Sequence, residues 1–430
     1  MISTFDTSEK CARELDRQDP LASFRSRFYI PQGTIYMNGN SLGLLSKDSE
    51  RTLLGVLDEW RTQGIAGWLE ARQPWFSYAE KIGEMAACLV GAEPEEVVAT
   101  GTTTVNIHSL VSTFYKPQHG RTKIIACALD FPTDIYALKN QINLRGLHDE
   151  EHLILVHAGD NRFVDEKNIV ALMDDSVSLI LLPSVLYRSG QLLDMHFLTA
   201  EARRRGITIG FDCSHSVGAL PHRFDKWGVD FAVWCSYKYL NGGPGSPAFL
   251  YINKRHFQSE PAITGWFGYV KEKQFDMLLD FEHAKRAGGW QISSPGILGA
   301  AAIEGSLQLT LEAGIERIRE KSITMTSYLI YLVEALLREE PYNFSIGTPK
   351  EANRRGGHVA IMHDREAMRI NEALIRRGVV PDFRPPNIIR IAPVALYNTY
   401  SEIWQIVQFL REIIDRKEYE GISRERKLIP

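Results

Sequence analysis

The chain has 430 residues, 44% of them hydrophobic and 24% charged, with a formal net charge of −4. That suits two globular domains around a sizeable core, and with no basic stripe it gives no case for nucleic acid. No apolar run approaches the roughly 20 residues of a membrane span. The polar start MISTFDTSEKCARELDRQDP lacks the apolar stretch of a secretory signal. The five cysteines (Cys11, Cys88, Cys127, Cys213 and Cys235) are odd in number and widely spaced. They read as reduced thiols of a cytoplasmic protein, with neither a disulfide framework nor a metal site.

In chain order, Ile82, Met85, Ala86, Leu89 and Val90 sit at helical spacing within 76–91. A strand at 96–100 leads through Gly101 to a helix from Val105 to about Tyr115. Apolar strands are expected at 123–128, 152–157, 177–182, 207–211, 231–235 and 248–252. Helices at 133–145, 166–174 and 197–205 separate several of them. Short apolar strands alternating with helices predict an α/β fold with a mostly parallel seven-stranded sheet covered on both faces. After about residue 310 the pattern changes to a helix at 314–338, a short stretch at 343–346, strands at 358–362 and 387–392, and helices at 365–377 and 400–416. The expected division is therefore a large domain over 46–310, a small α+β domain over 311–430, and an N-terminal segment, 1–45, packed on the small one.

Open parallel sheets bind ligands at the carboxyl ends of their strands, so the residues just after each strand carry the functional argument. Asp212-Cys213-Ser214-His215 follows one strand and Ser236-Tyr237-Lys238-Tyr239 follows the next, with Asp212 and Lys238 26 positions apart. Pyridoxal phosphate (PLP) needs such a pair: a lysine amine to form a Schiff base, and a carboxylate to keep the pyridine nitrogen protonated. An aspartate and a lysine at strand ends are also ordinary turn residues, so the pair alone decides little. Gly101-Thr102-Thr103-Thr104 adds hydroxyls and N–H groups at a helix start, suited to a phosphate, although threonine capping gives the same pattern. Phe131-Pro132-Thr133-Asp134 adds a ring that could stack on a cofactor and a carboxyl that could bond it, though by itself it is only a helix cap.

Other features read as structure. Gly242-Gly243-Pro244-Gly245 lacks a following helix, so it is a close-packed turn holding Lys238 rather than a nucleotide loop. Cys213 and Cys235 read as small core fillers, His108 as a packed helix residue, and two of Trp60, Trp68 and Trp75 as core.

The string FDCSHSVGALPHRFDKWGVDFAVWCSYKYLNGGPGSPAFLYINKRH resembles the cofactor region of kynureninases, which are PLP enzymes of fold type I. So do YMNGNSLGL, TTTVNIH, FPTD, GWFG and DFRPPNIIRIAPVALYNTY, and together the likeness runs from about residue 25 to 415. It implies hydrolysis of kynurenine, or its 3-hydroxy form, to anthranilate (or 3-hydroxyanthranilate) and alanine by Cβ–Cγ cleavage, in tryptophan breakdown or NAD supply. Lys238 would carry the cofactor and move protons, Asp212 would face the pyridine nitrogen, and His215 would lie beside it. Thr103, Thr104 and Tyr237 would hold the phosphate, Tyr237 also serving proton transfer, with Phe131 and Asp134 as further cofactor contacts. Trp266 and Ser294 would reach the phosphate from a partner subunit, which implies a homodimer. Arg390 would clamp the substrate α-carboxylate, while Ser41 and Trp68 would border the aryl-ketone pocket. Trp68 is similar to bacterial members and points to kynurenine; Ser294 stands where others carry Asn or Thr. A cofactor contact at Ser184, next to Pro183, is left open. The competing readings are a cysteine desulfurase or selenocysteine lyase, which needs a reactive C-terminal cysteine, an aminotransferase of the same fold, and a non-catalytic PLP-fold binding protein.

Overall fold

The computed structural model describes residues 5–118, 120–159 and 162–425. Seven apolar segments form the large sheet: β2 (Val97–Ala99), β3 (Lys123–Cys127), β4 (Leu153–Val156), β5 (Val177–Pro183), β6 (Thr208–Asp212), β7 (Phe231–Trp234) and β8 (Phe249–Ile252). Their spatial order is β2-β8-β7-β6-β5-β3-β4, and β8 alone runs antiparallel to its neighbours. The expected α/β architecture is the observed one. Successive strand residues point to opposite faces. Ile125, Ile180, Ile209 and Trp234 enter one apolar cluster with helices Tyr78–Val90, Met195–Arg204 and Ile297–Ala313. Ile124, Leu179, Phe231 and Val233 enter another with helices Thr103–Phe114 and Pro132–Asn143. Burial on both faces explains why these strands read as continuous apolar runs rather than alternating ones.

A second sheet is antiparallel. It comprises β9 (Ser345–Ile346), β10 (Val359–Met362), β12 (Asp382–Arg384) and β13 (Ile388–Ile391) in the order β12-β13-β10-β9. Helices Ile315–Leu336, Ala367–Arg376 and Tyr400–Asp415 bury Leu329, Ile370 and Ile406 against it. A short parallel pair, β1 (Ile35–Tyr36) with β11 (Val379–Val380), ties the N-terminal segment to this body. That segment is shared: Ala12, Leu15 and Met37 join the small core, whereas Leu21, Phe24, Phe28 and Leu44 join the large one. Among the described residues no helix is long and apolar enough to cross a membrane.

Two long helices escaped the sequence reading. Ile297–Ala313 is buried almost all round, so it shows no apolar stripe for a helical period to reveal. It crosses helix Lys47–Gln63 closely enough that a Cβ on Gly305 would lie 2.3 Å from the Asp48 carbonyl oxygen.

Candidate active site

β6 and β7 run side by side with Asp212 opposite Val233, so both strands deliver their following turns to one end of the sheet. The turn after β7 closes on itself. The Asn241 N–H donates to the Lys238 carbonyl at 2.9 Å, Gly242 N–H donates to the Ser236 carbonyl at 2.9 Å, and Ser236 Oγ donates to the Pro247 carbonyl at 2.7 Å. From the N-terminal segment, the Gly43 N–H donates to the Tyr237 carbonyl at 2.7 Å. A Cβ at Gly43 would sit 2.4 Å from the Lys238 carbonyl oxygen, so only glycine lets the Asn40–Gly43 loop seat there. The backbone around Lys238 is thus fixed from three sides.

Lys238 Nζ lies 2.9 Å from His215 Nε2. His215 is buried, and burial, with the Lys238 charge second, holds its imidazole well below the ordinary histidine range. A neutral ring whose Nε2 accepts from the lysine carries its proton on Nδ1, and that atom is buried with no hydrogen-bond partner.

Three carboxyls cluster beside this pair. Asp212 Oδ1 accepts the Ser214 N–H at 2.7 Å. The Asp134 carboxyl contacts both Asp130 and Asp212, yet neither of its oxygens receives a donor. Burial first, then the neighbouring carboxylates, pushes Asp130 and Asp134 far above the usual carboxylate range. Asp130 Oδ1 at least accepts the Phe131 N–H at 2.9 Å. The upward shift has a physical cause: two ionised carboxylates in contact and out of water repel strongly.

Around the cluster, Thr103 and Thr104 open a helix whose N-cap is Thr102, and Thr104 Oγ1 lies 2.9 Å from Thr133 Oγ1 of the FPTD stretch. Phe131 leaves its ring 46% exposed and meets Tyr187 edge-on at 5.4 Å. Burial pushes the Tyr237 phenol up, so it stays a proton donor at neutral pH. Ser184 Oγ is turned inward, 2.7 Å from Ser216 Oγ and 3.1 Å from the Asp212 carbonyl it donates to.

Arg390, on β13, is buried, and burial lowers it to about 10, which leaves it cationic at pH 7. Its Nη1 donates to the Tyr187 carbonyl at 2.6 Å and its Nη2 to Ser41 Oγ at 3.1 Å; it also pairs with Asp382, while Nε is buried without a partner. Ser41 Oγ in turn donates to Asp382 Oδ2 at 3.2 Å.

Within one chain the structure thus brings together Lys238, His215, Asp212, Asp134 and the Thr104–Phe131 rim, and separately Arg390 with Ser41. Trp68 packs edge-on against Trp75 at 6.1 Å and tilted against Phe267 at 6.0 Å, and Trp266 Nε1 donates to the Gln274 carbonyl at 3.4 Å. These two tryptophans belong to one aromatic patch, both packing on Phe267. Ser294 is exposed and lines a cavity of about 480 Å³ that also touches Thr100 and Gly101. Asp130, Tyr187 and Asp382 were not singled out in the sequence; only the strand-end position of Asp130 offered a signal.

Comparison with known proteins decides the family. The chain is 54% identical to a protein named Kynureninase from Geobacillus thermodenitrificans, over 97% of both chains. It belongs to the kynureninase family. Kynureninases from Bacillus cereus (52% identical, 99% of both chains) and Shouchella clausii (50%, 98% of both) are similar to the same extent, and residues 318–410 match the model of the Kynureninase C-terminal domain. Solved structures show the fold. An apo cysteine desulfurase from Thermococcus onnurineus superposes with a TM-score of 0.75 at 16% identity, covering 94% of this chain and 98% of its own. A C-DES variant with glycine covalently linked to its PLP cofactor gives 0.76 at 17%, covering 90% and 98%. High identity to kynureninases, against a likeness in fold alone, favours kynureninase over desulfurase. The cysteines agree: Cys213 and Cys235 are buried, Cys88 is exposed on helix Tyr78–Val90, and all five are free.

The residues present fit PLP. The open His215 Nδ1 and the two donorless oxygens of Asp134 are polar groups lacking a partner, and with the half-exposed face of Phe131 they gather where a ring carrying hydrogen-bonding substituents would supply one.

Proposed function

We propose that this kynureninase hydrolyses L-kynurenine to anthranilate and L-alanine with PLP held on Lys238. Asp212 would face the pyridine nitrogen, Phe131 the ring, His215 and Asp134 its substituents, and Thr103, Thr104 and Tyr237 the phosphate. When bound, PLP accepts the electron pair released at the substrate α-carbon. Everything else falls to the chain. Arg390 binds the α-carboxylate, with Nε its free donor, and a bidentate grip requires Ser41 or Asp382 to give way. Lys238, beside a neutral His215, takes the α-proton and returns it to another carbon. Tyr237, protonated at neutral pH, hands a proton to the substrate while water adds to the side-chain ketone. The Cβ–Cγ bond then breaks: the acyl carbon keeps the water oxygen and leaves as anthranilate, while the electron pair stays with Cβ, which takes a proton and leaves alanine. Trp68 and Ser41 would flank the aryl ketone.

The reading extends to the assembly. Trp266 and Ser294 would serve the phosphate of a partner subunit, in a homodimer with shared sites. The exposed apolar side chains of Phe275, Met277 and Leu278, next to Trp266, are suited to burial against a second copy. In this scheme 46–310 carries the cofactor, 311–430 the carboxylate clamp, and 1–45 the strap between them. We place the enzyme in the cytoplasm, where five free thiols stay reduced.

The observation that carries the proposal is the contact of Lys238 with His215 at the ends of β6 and β7, next to Asp212. Purified enzyme supplied with PLP and kynurenine should release anthranilate and alanine in a one-to-one ratio, with slower turnover of 3-hydroxykynurenine. Sulfur release from cysteine, or turnover only when a keto acid is added, would replace the proposal with the desulfurase or the aminotransferase.

A further inference from the structure

The residue before β10, His358, is fully buried, and neither ring nitrogen has a hydrogen-bond partner. A buried polar group without a partner is costly, so its neighbours matter. Its ring meets His215 edge-on at 5.8 Å, and His215 is the partner of Lys238 at 2.9 Å. On another side the ring lies against the Tyr187 carbonyl without a well-aligned bond. That carbonyl is the one that takes Arg390 Nη1 at 2.6 Å.

The turn carrying Tyr187 is seated on the histidine. Gly190 closes it through an N–H donated to the Leu186 carbonyl at 2.8 Å, with φ +73°. A Cβ there would stand 2.8 Å from the His358 carbonyl oxygen and 3.3 Å from its Nε2. His358 is also held by the sheet that carries the clamp, since Ala360 of β10 pairs with Arg390 of β13. Burial, with the Arg390 and Lys238 charges, holds the imidazole well below the ordinary histidine range, so it offers one N–H at neutral pH.

We propose that His358 is a positioning residue for substrate: it aims Arg390 through the Tyr187 carbonyl and seats the His215 ring against Lys238, coupling the clamp to the reacting end. This rests on the function proposed above, in which Arg390 holds the α-carboxylate.

The test compares H358F, which keeps the ring but loses the N–H, with H358Q, which keeps a donor, each as the PLP-loaded enzyme. Steady-state kinetics are read together with PLP affinity and equilibrium binding of L-alanine, which bears the same α-carboxylate. H358F should raise KM and weaken L-alanine about tenfold, because the N–H that faces the Tyr187 carbonyl is gone, with PLP affinity within twofold. H358Q should restore both to within about threefold. Unchanged KM and L-alanine binding in H358F overturn the proposal, as does a parallel loss of PLP affinity, which marks a merely structural role. If H358F does not fold, H358M removes the donor at similar volume and is judged by the same outcomes. R390A is the control: unchanged L-alanine binding there refutes the clamp itself, and the proposal falls with it, whereas an R390A effect with an unaffected H358F refutes the proposal alone.

Discussion

The lysine end of the site and the arginine end differ in how many pieces of chain they need. Around Lys238, Asp212, His215 and the lysine itself follow two neighbouring strands of one sheet, and one loop, Asn40–Gly43, locks their turn. Around Arg390, five separate stretches converge: Ser41, the Tyr187 turn, His358, β12 with Asp382, and β13. The first end inherits its geometry from the parallel sheet. The second exists only when the two bodies and the N-terminal segment are packed together. A cofactor end made by one sheet can form before substrate arrives, while a substrate end made by several segments can respond to what binds.

The largest effect that would sharpen this contrast is at the clamp. Arg390→Ala removes the carboxylate grip and leaves the buried Asp382 with Arg384 as its arginine partner, so KM for kynurenine should rise by about 2–4 kcal/mol in binding terms, roughly 30- to 1,000-fold. PLP affinity should stay within about twofold. Arg390→Lys, which keeps the charge but not the planar fork, should lose about tenfold. Equal losses of cofactor and substrate binding in Arg390→Ala would break the division between the two ends.

A smaller effect tests the carboxyl cluster. The folded protein holds Asp130 above its unfolded carboxylate range, so the native state binds the proton more tightly. Stability then falls as pH climbs past about 4 and levels off above the raised value. Asp130→Asn keeps the acceptor for the Phe131 N–H and removes this dependence. Without cofactor, the variant should gain stability relative to the parent as pH rises from 5 to 8, by on the order of 1 kcal/mol, in denaturant titrations. A pH-independent difference would show that Asp130 is ionised throughout.

The same contrast explains what the sequence disclosed. All seven strands of the large sheet were readable because burial makes each a short apolar run; β6 ends on Asp212, and the turn after β7 carries Lys238. Threonines at the start of Thr103–Phe114 and the FPTD stretch were visible as helix caps, and only family likeness turned them into cofactor contacts. Tyr187, His358 and Asp382 were not visible, because nothing local marks them: each acquires its role from a neighbour more than 100 positions away or from the pairing of β10, β12 and β13. Ser184, left open, is a different case, since its hydroxyl is spent on Ser216 and the Asp212 carbonyl. Helix Ile297–Ala313 was lost to uniform burial, which erases helical periodicity.

The central claim is that one amine, at the end of β7, carries the cofactor. Holoenzyme should be reduced with borohydride, digested, and the pyridoxyl-labelled peptide sequenced. The label is predicted on Lys238 alone, with Lys238→Ala giving a folded protein that takes no stable label. A pyridoxyl group fixed on any other lysine, at full occupancy and with catalysis intact, would contradict the account.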